Sequence, residues 1–283
     1  MDLSIIIVSW NVKDLLRECL NSILDNRGDL QLEIFVVDNA SSDGSAEMVK
    51  QEFRDKVILI ANLENLGFSK ANNQAIKISR GRYVLLLNPD MRVLPDTLPQ
   101  MVKFMDEHKE AGVAGCHLID VGGKTVPHTR RFPTILDQAV IVLKLPHVFP
   151  TILNKYLMKD FGYDRGEAAE VDSIRGSFFM IRRRVIEKIG GLDERYFIWF
   201  EEVDYCRSVI KAGWKIMYNP AVKCIDHVGQ SFQKRDSLWK QKNFTKSMLQ
   251  YFQKWEPWYK WIWIWFARRI VLPAFWLGDK IKK

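Results

Sequence analysis

The stretch YVLLLNPD, residues 83–90, decides the fold of this chain. Its first five residues are apolar on both faces, which is typical of a strand inside a parallel sheet covered by helices on both sides. Pro89 cannot continue a hydrogen-bonded ladder, so the strand ends there and leaves the carboxylate of Asp90 at its carboxyl end. Ligands bind at that edge of open α/β sheets. A carboxylate there suits a divalent metal that contacts phosphate, although an ordinary turn explains the stretch equally well.

The residues before this stretch alternate between strand and helix patterns. Apolar runs of strand length and periodic helical segments follow one another four times in the first 90 residues. The predicted strands are residues 3–9, 33–37, 57–61 and 83–87. This alternation predicts an α/β fold with a doubly wound, mostly parallel sheet.

Composition limits the domain organisation. The 283 residues are 47% hydrophobic and 27% charged, enough for one large domain and an appendage. The four cysteines show no CxxC spacing, and Met1-Asp2 leads directly into a strand, so we expect reduced thiols in a cytosolic compartment.

The net charge of +8 is unevenly placed. Residues 230–283 hold 12 Lys and Arg against 3 Asp and Glu, a charge of +9, which leaves −1 for residues 1–229. Seven of the ten tryptophans also lie in residues 230–283. A nucleic-acid-binding protein would concentrate its positive charge on the folded domain, so we expect no nucleic-acid partner.

Two groups of carboxylates are candidates for chemistry. Asp38 ends the second predicted strand and can accept from a nucleobase or a ribose hydroxyl, whereas Asp43 does similar work or caps the next helix. Glu201, Glu202 and Asp204 lie among aromatic residues in YFIWFEEVDYC, residues 196–206. Such surroundings raise the pKa of a carboxyl towards the range of a general base; an acidic first helical turn is the alternative.

Familiar phosphate motifs are missing from the sequence. No GxGxxG follows the first strand, and GGKT at residues 122–125 lacks the earlier glycine of a P-loop, so neither a dehydrogenase nor a P-loop kinase is indicated. Residues 126–165 mix prolines, an apolar run and cations. They form a variable insertion that covers the active site and touches acceptor or membrane, or else a surface helical hairpin.

Taken together, the motifs resemble those of the inverting glycosyltransferases of family 2, which have the GT-A fold, and most closely its bacterial rhamnosyltransferase-like branch. The similar stretches are SIIIVSWN (4–11), VVDNASSDGS (36–45), NLGFSKANNQAI (65–76), LLLNPD (85–90), GGLDERYFIWFEEVDYCRSVIKAGW (190–214) and HVG (227–229). The resemblance implies a GT-A catalytic domain over residues 1–229, with a nucleotide-binding half at 1–90 and an acceptor and catalytic half at 170–229.

The resemblance also implies a nucleotide-diphosphate sugar donor, dTDP-rhamnose in that branch, and Mg²⁺ or Mn²⁺. It assigns Glu202 as the catalytic base and Asp90 and His227 to the metal, with Asn88 standing where the family usually has an acid. The implied donor-binding residues are Ser9, Asn11, Asp38, Asn39, Asp43, Asn65, Gly67, Lys70 and Asn88. The acceptor-side candidates are Arg175, Trp199, Glu201 and Asp204.

Residues 230–283 carry tryptophans at helical spacing beside lysine and arginine. This composition is typical of a helix lying in the interface of an anionic leaflet, while core packing or a dimer contact are the alternatives. We therefore expect a peripheral, monotopic enzyme at the cytoplasmic face of the inner or plasma membrane. The resemblance to the rhamnosyltransferase-like branch implies that its acceptor is a polyprenyl-diphosphate-linked glycan in cell-surface polysaccharide synthesis. A non-catalytic scaffold that binds nucleotide sugars is the rival hypothesis.

Overall fold

A computed structural model describes residues 1–227, 237–266 and 268–269. In chain order the strands are β1 (Leu3–Ser9), β2 (Leu32–Asp38), β3 (Ile58–Ala61), β4 (Tyr83–Leu87), β5 (Met91–Val93), β6 (Ala111–Ile119), β7 (Thr129–Arg130), β8 (Ala169–Glu170), β9 (Ser173–Ile174), β10 (Phe178–Arg182) and β11 (Lys215–Asp226). The helices are α1 (Lys13–Asp25), α2 (Ser45–Glu52), α3 (Phe68–Ile78), α4 (Thr97–Glu107), α5 (Ile135–Val142), α6 (Arg183–Ile189), α7 (Glu201–Lys211) and α8 (Ser237–Trp255). Residues 145–147 form a 3-10 turn, and residues 258–266 are helical as well.

Nine of the described strands form one sheet in the order β3-β2-β1-β4-β10-β6-β11-β5, with β8 paired to β11. The pairs β2–β3, β1–β2 and β1–β4 are parallel, and so is the pair β6–β11. Strand β10 lies antiparallel between β4 and β6. The predicted α/β fold with a doubly wound, mostly parallel sheet is confirmed, and antiparallel pairs occur in its second half.

Side chains that alternate along the strands fill two core layers, one on each face of the sheet. Ile5 and Ile7 of β1 pack in the layer that contains residues of α1, α2 and α4. Ile6 packs on the opposite face, in the layer that contains residues of α3, α6 and α7. All five residues of β4 are buried, as their apolar sequence predicts for a strand covered on both faces.

Strand β11 is longer than the sequence predicts. The apolar pattern indicates a strand at residues 214–218, whereas β11 extends to Asp226. Its pairing with β6 shifts register between Asn219 and Lys223, a stretch that contains Pro220, and such an irregularity tolerates a proline inside a strand. The extension carries Asp226 to the sheet edge where β4 ends.

Helix α8 packs against the rest of the fold. Tyr251 and Phe252 are completely buried in a cluster with Tyr196 and Phe200. Residues 230–236, 267 and 270–283 of the predicted tail lie outside the described residues. Among the helices that the structure describes, none has both the length and the apolar character needed to cross a bilayer.

All four cysteines, Cys19, Cys116, Cys206 and Cys224, are buried free thiols. Burial raises the pKa of three of them, Cys19, Cys206 and Cys224, above the ordinary range. A thiol that stays protonated in apolar surroundings is a poor nucleophile. We therefore assign these side chains to packing.

Candidate active site

The carboxyl ends of β1, β2 and β4 lie side by side, and Ser9, Asp38 and Asn88 stand at or just beyond them. The strand order reverses between β1 and β4, which is where α/β sheets form a ligand crevice. Asp38 is 2% exposed, and its Oδ2 accepts a 2.9 Å hydrogen bond from the Ser41 N–H. Its Oδ1 has no hydrogen-bond partner among the described residues, so it can accept from a ligand N–H or hydroxyl.

Asn11 and Asp43 hold the neighbouring turns in place. Asn11 has a left-handed backbone (φ 56°), and its Oδ1 accepts a 2.7 Å hydrogen bond from the Ser42 N–H. The Asp43 carboxylate accepts from the backbone N–H groups of Lys13 and Ser45 at the starts of α1 and α2. Burial opposes ionisation of Asp43, but these bonds hold its pKa below the usual range. Both oxygens of Asp43 therefore serve as helix caps in this structure.

A cavity of about 90 Å³ adjoins this crevice and is lined by several residues of the predicted donor loop. Asn65 Oδ1 accepts from the Gly67 N–H at 2.9 Å, and Asn39 Nδ2 donates to the Gly67 carbonyl at 3.2 Å. Gly67 has φ 81°, and a Cβ there would lie 2.5 Å from the Phe197 carbonyl oxygen. The loop therefore needs glycine at this position.

A larger cavity of about 440 Å³ lies next to the small one and shares Phe68, Asn88 and Ile198 with it. This volume falls in the range of small-molecule sites. Its charged lining residues are Asp90, Arg130, Arg175, Glu201, Glu202 and Asp226. One cavity is therefore lined by the predicted base Glu202, the predicted metal ligand Asp90 and three of the four acceptor-side candidates, Arg175, Trp199 and Glu201.

Glu201 and Glu202 begin α7, and burial raises the pKa of both carboxyls. The neighbouring Glu202 raises the pKa of Glu201 further, whereas Arg130 and Arg175 partly offset the rise at Glu202. Within the described residues, Oε2 of each has no hydrogen-bond partner. The two carboxyls therefore titrate as a pair, in which the two guanidinium groups favour the ionised form of Glu202.

The turn before this pair has an unusual backbone. Trp199 (φ 63°) and Phe200 (φ 70°) are both left-handed, a conformation that costs free energy for bulky side chains. Helix α8 holds the turn, because the Ser247 hydroxyl donates to the Ile198 carbonyl at 2.7 Å. Phe200 also packs on Phe244, which lines the larger cavity.

Asp90 can contribute a carboxylate to a metal. It is 4% exposed, and its backbone carbonyl accepts a 3.0 Å hydrogen bond from the His227 N–H. Asp226, 3% exposed, lines the same cavity. In the described ranges, no three His, Cys, Asp or Glu side chains gather to hold a metal by themselves. Proteins usually hold Mg²⁺ with one or two carboxylates, and substrate phosphates complete its coordination. The carboxylates of Asp90 and Asp226 fit this arrangement.

Two predicted site residues lie elsewhere. Asp204 is 2% exposed and faces α8, where its carboxylate accepts from Lys254 Nζ and Trp255 Nε1, both at 2.7 Å. Lys70 is exposed on α3 and lines neither of the two cavities. Residues 228 and 229 of the HVG motif lie outside the described residues.

Seven polar residues that line the larger cavity are not among the predicted site residues: His128, Arg130, Gln138, Tyr156, Ser173, Ser177 and Asp226. Asp226 directly precedes His227, and a longer β11 would have placed it at the carboxyl edge. Arg130 follows from no pattern, because β7 lies in the irregular segment of residues 126–165. Oγ of Ser177 is buried without a hydrogen-bond partner among the described residues.

The family model for glycosyl transferase family 2 matches residues 4–190 of the chain. The chain belongs to this family. The transferase is 27% identical over 213 residues to the N-acetylglucosaminyl-diphospho-decaprenol L-rhamnosyltransferase of Mycobacterium tuberculosis (strain CDC 1551), which covers 71% of this chain and 68% of that protein. It is 26% identical over 247 residues to the rhamnosyltransferase WbbL of Escherichia coli K12, covering 83% and 88% of the two chains.

A solved structure with a similar fold is the mannosyltransferase PcManGT from Pyrobaculum calidifontis in complex with GDP-Man and Mn²⁺. The TM-score is 0.61 at 19% sequence identity, over 96% of the transferase and 72% of that chain. The predicted family, its rhamnosyltransferase-like character and the GT-A fold are thereby confirmed.

Proposed function

We propose that this glycosyltransferase moves a sugar, with inversion, from a nucleoside-diphosphate donor to an acceptor hydroxyl. The observation that carries the proposal is the carboxylate pair Glu201 and Glu202 in a large cavity next to the crevice of Asp38 and Gly67. A nucleoside bound at Asp38 places its diphosphate towards Asn88 and Asp90, and its sugar towards Glu202. Ser9, Asn39 and Asn65 complete the donor side.

Glu202 acts as the general base. It takes the proton of the acceptor hydroxyl while that oxygen forms its bond to the anomeric carbon, and the bond from this carbon to the diphosphate breaks on the opposite face. The electron pair leaves with the diphosphate. Burial favours the protonated form of both carboxyls, and Arg130 and Arg175 favour the ionised form of Glu202 that a base requires. A base placed in this way contributes about 10²–10⁴-fold to the rate.

The proposed metal is Mg²⁺ or Mn²⁺, held by Asp90 with His227 beside it. When bound, such an ion neutralises the charge that develops on the departing diphosphate. Asn88 replaces an acid before Asp90, so this chain supplies fewer negative charges to the ion. Asp226 lines the same cavity and forms an ion pair with Arg175, with 3.7 Å between Asp226 Oδ2 and Arg175 Nη1.

The donor we propose is dTDP-rhamnose, and the acceptor is a polyprenyl-diphosphate-linked glycan of cell-surface polysaccharide synthesis. Two rhamnosyltransferases among the relatives support the sugar, and the decaprenol-linked substrate in the name of the mycobacterial protein supports the acceptor class. A lipid-linked acceptor requires an enzyme at the membrane. We therefore propose a peripheral position on the cytoplasmic leaflet, with residues 230–283 contributing to membrane contact.

A donor panel tests this function. Purified protein with Mg²⁺ or Mn²⁺ is titrated with UDP-, GDP- and dTDP-sugars while the melting temperature and slow donor hydrolysis are followed. We expect metal-dependent stabilisation by dTDP-rhamnose and its hydrolysis. Stabilisation without hydrolysis or transfer by the wild type would favour the scaffold hypothesis, and response to another donor alone would overturn the rhamnosyl assignment.

The variant Glu202→Gln tests the base. We expect turnover to fall about 10²–10⁴-fold while dTDP-rhamnose still stabilises the protein, because the amide cannot take a proton. Glu187→Gln, on the exposed side of α6, is the matched control and should leave turnover unchanged. Full activity of Glu202→Gln would exclude Glu202 as the base.

A further inference from the structure

Exposed large apolar side chains are concentrated in two segments of the chain. Nine of the fifteen such residues in the described ranges lie either between residues 136 and 152 or between residues 258 and 266. The first group is Leu136, Leu143, Val148, Phe149 and Ile152; the second is Trp258, Tyr259, Trp263 and Phe266. Single exposed apolar residues are ordinary, but a contiguous group of this size marks a contact surface.

The two segments pack against one buried cluster. Ile135 and Val142 on one side of α5 pack in the same cluster as Trp261, Ile264 and Trp265. Leu136 and Leu143 follow these α5 residues by one position, about 100° round the helix, and are 74% and 62% exposed. The exposed faces therefore flank a shared contact and form one surface, which we call the apolar face.

The charge around the apolar face is mostly positive, and the one acidic residue within residues 136–152 and 257–269 is Asp137, whose carboxylate caps α5 at Thr134. Residues 138–159 contain three lysines and no acidic residue, and residues 257–269 contain one lysine, two arginines and no acidic residue. Lys155, Lys159 and Arg269 are exposed. Tryptophan and tyrosine beside cations are the composition that lies at the interface of an anionic bilayer.

We propose that the apolar face is a docking surface for an anionic lipid leaflet, built jointly by α5 with the following residues to 152 and by the helix at 258–266. Of the alternatives that the sequence leaves open for residues 126–165, this proposal selects membrane contact and shares it between residues 136–152 and the C-terminal helix. A second copy of the chain fits this surface poorly, because a symmetric contact would bring the cations of both copies together.

The position of the apolar face matches an acceptor that stays in the membrane. Gln138 and Ile141 of α5 line the large cavity, so the same helix contributes to the cavity wall and to the docking surface. A polyprenyl chain can remain in the leaflet while its glycan enters the cavity. This last step rests on the proposed function, whereas the docking itself does not.

Vesicle binding without donor or acceptor tests the docking. The protein is floated with phosphatidylcholine vesicles and with vesicles containing phosphatidylglycerol as well. Three double variants are compared with the wild type: Val148→Ser/Phe149→Ser, Trp263→Ser/Phe266→Ser, and the control Val121→Ser/Ile78→Ser, whose residues are exposed elsewhere. Melting temperatures verify that each variant is folded.

We expect binding to the phosphatidylglycerol vesicles, weakened by salt and lowered roughly tenfold or more by either test pair, with the control unchanged. Wild-type protein that stays unbound, or a 148/149 variant that binds like the control, would overturn the proposal. So would light scattering that shows a dimer which only the test variants dissociate. Transfer to a water-soluble acceptor lacking the lipid tests the proposed function separately, and should be equal in all four proteins.

Discussion

The hydroxyl of Ser247 on α8 donates a 2.7 Å hydrogen bond to the carbonyl of Ile198, three residues before the carboxylate pair begins. Trp199 and Phe200 lie between them with left-handed backbones that neither residue prefers. A strained turn persists only where its surroundings fix it, and here one fixing contact comes from a helix 49 residues away in sequence. Helix α8 therefore positions the start of α7.

Ser247→Ala should lower kcat by about 10- to 100-fold, because a small displacement of Glu202 from the acceptor costs that much. The KM for the donor should stay close to that of the wild type, since the crevice at Asp38 is untouched. Steady-state kinetics on Ser247→Ala and on the control Ser208→Ala measures kcat and the donor KM separately. The control Ser208→Ala removes a 3.0 Å bond to the Asp204 carbonyl within α7, and equal losses in the two variants would contradict a specific role for Ser247.

Arg130→Gln should move the acidic limb of the rate profile to higher pH. The Arg130 guanidinium lowers the pKa of Glu202, which burial raises, so its removal makes the base harder to ionise. The dependence of kcat/KM on pH reports this group in the free enzyme. Arg131→Gln, at the exposed neighbouring residue, is the control. If the acidic limb of the pH profile is the same in Arg130→Gln as in the wild type, Arg130 does not influence the pKa of the base.

Glu201→Gln should stabilise the fold at neutral and basic pH. Burial raises the pKa of Glu201 above its unfolded value of about 4.3, so the folded state holds the proton more tightly and the wild type loses stability as the pH rises from that value. The variant cannot ionise and lacks this loss. Its melting temperature should exceed that of the wild type by a margin that grows from about pH 5 to about pH 8.

A gain of about 1 kcal/mol in the unfolding free energy corresponds to about 2–4 °C for a chain of this size. Thermal denaturation across that pH range measures it. A difference in melting temperature that is constant with pH would show that ionisation of Glu201 does not contribute.

Asp90→Asn should remove most of the metal dependence of donor binding. The amide lacks the charge that a divalent ion requires, so the added stabilisation by Mn²⁺ with dTDP-rhamnose should be largely lost, and kcat should fall at least about 10²-fold. Thermal shift titrations with and without Mn²⁺ make the measurement. Asp29→Asn, on the exposed surface, should behave like the wild type, and metal dependence retained in Asp90→Asn would move the ion to other ligands.

Gly67→Ala should damage the donor crevice. The backbone of Gly67 (φ 81°, ψ 178°) lies in a region open essentially to glycine alone and costs another residue about 1–3 kcal/mol, and the added Cβ would also meet the Phe197 carbonyl oxygen at 2.5 Å. We expect a lower melting temperature and a weaker thermal response to the donor. The control Gly166→Ala has open space around it and an ordinary φ, so a similar loss in both variants would be evidence against the crowding argument.

The fold was predictable where one signal dominates. Strand β4 has the predicted bounds because its five residues are apolar and buried on both faces. Strand β11 extends past the predicted residues 214–218 because a register shift against β6 accommodates Pro220, and an apolar pattern in the sequence does not reveal that shift. The antiparallel insertion of β10 between β4 and β6 likewise leaves no periodic signal in the sequence.

The site divides in the same way. Residues next to predicted strand ends, such as Asp38 and Asp90, could be placed at the carboxyl edge from the sequence. The partners of Asp204 could not, because Lys254 and Trp255 lie 50 and 51 residues away and meet it only through the packing of α8. Arg130 could not be placed either, because it lies in the irregular segment of residues 126–165, where no hydrophobic period indicates which side chains face the cavity.

The four buried cysteines have a practical consequence for labelling. Maleimide dyes react with accessible thiolates, and the native thiols are inside the folded core. A cysteine introduced at an exposed position, for example at Leu143, would therefore take up the dye while the native four remain in place. An environment-sensitive dye at that position would give a fluorescence signal when the protein meets vesicles, without prior substitution of native cysteines.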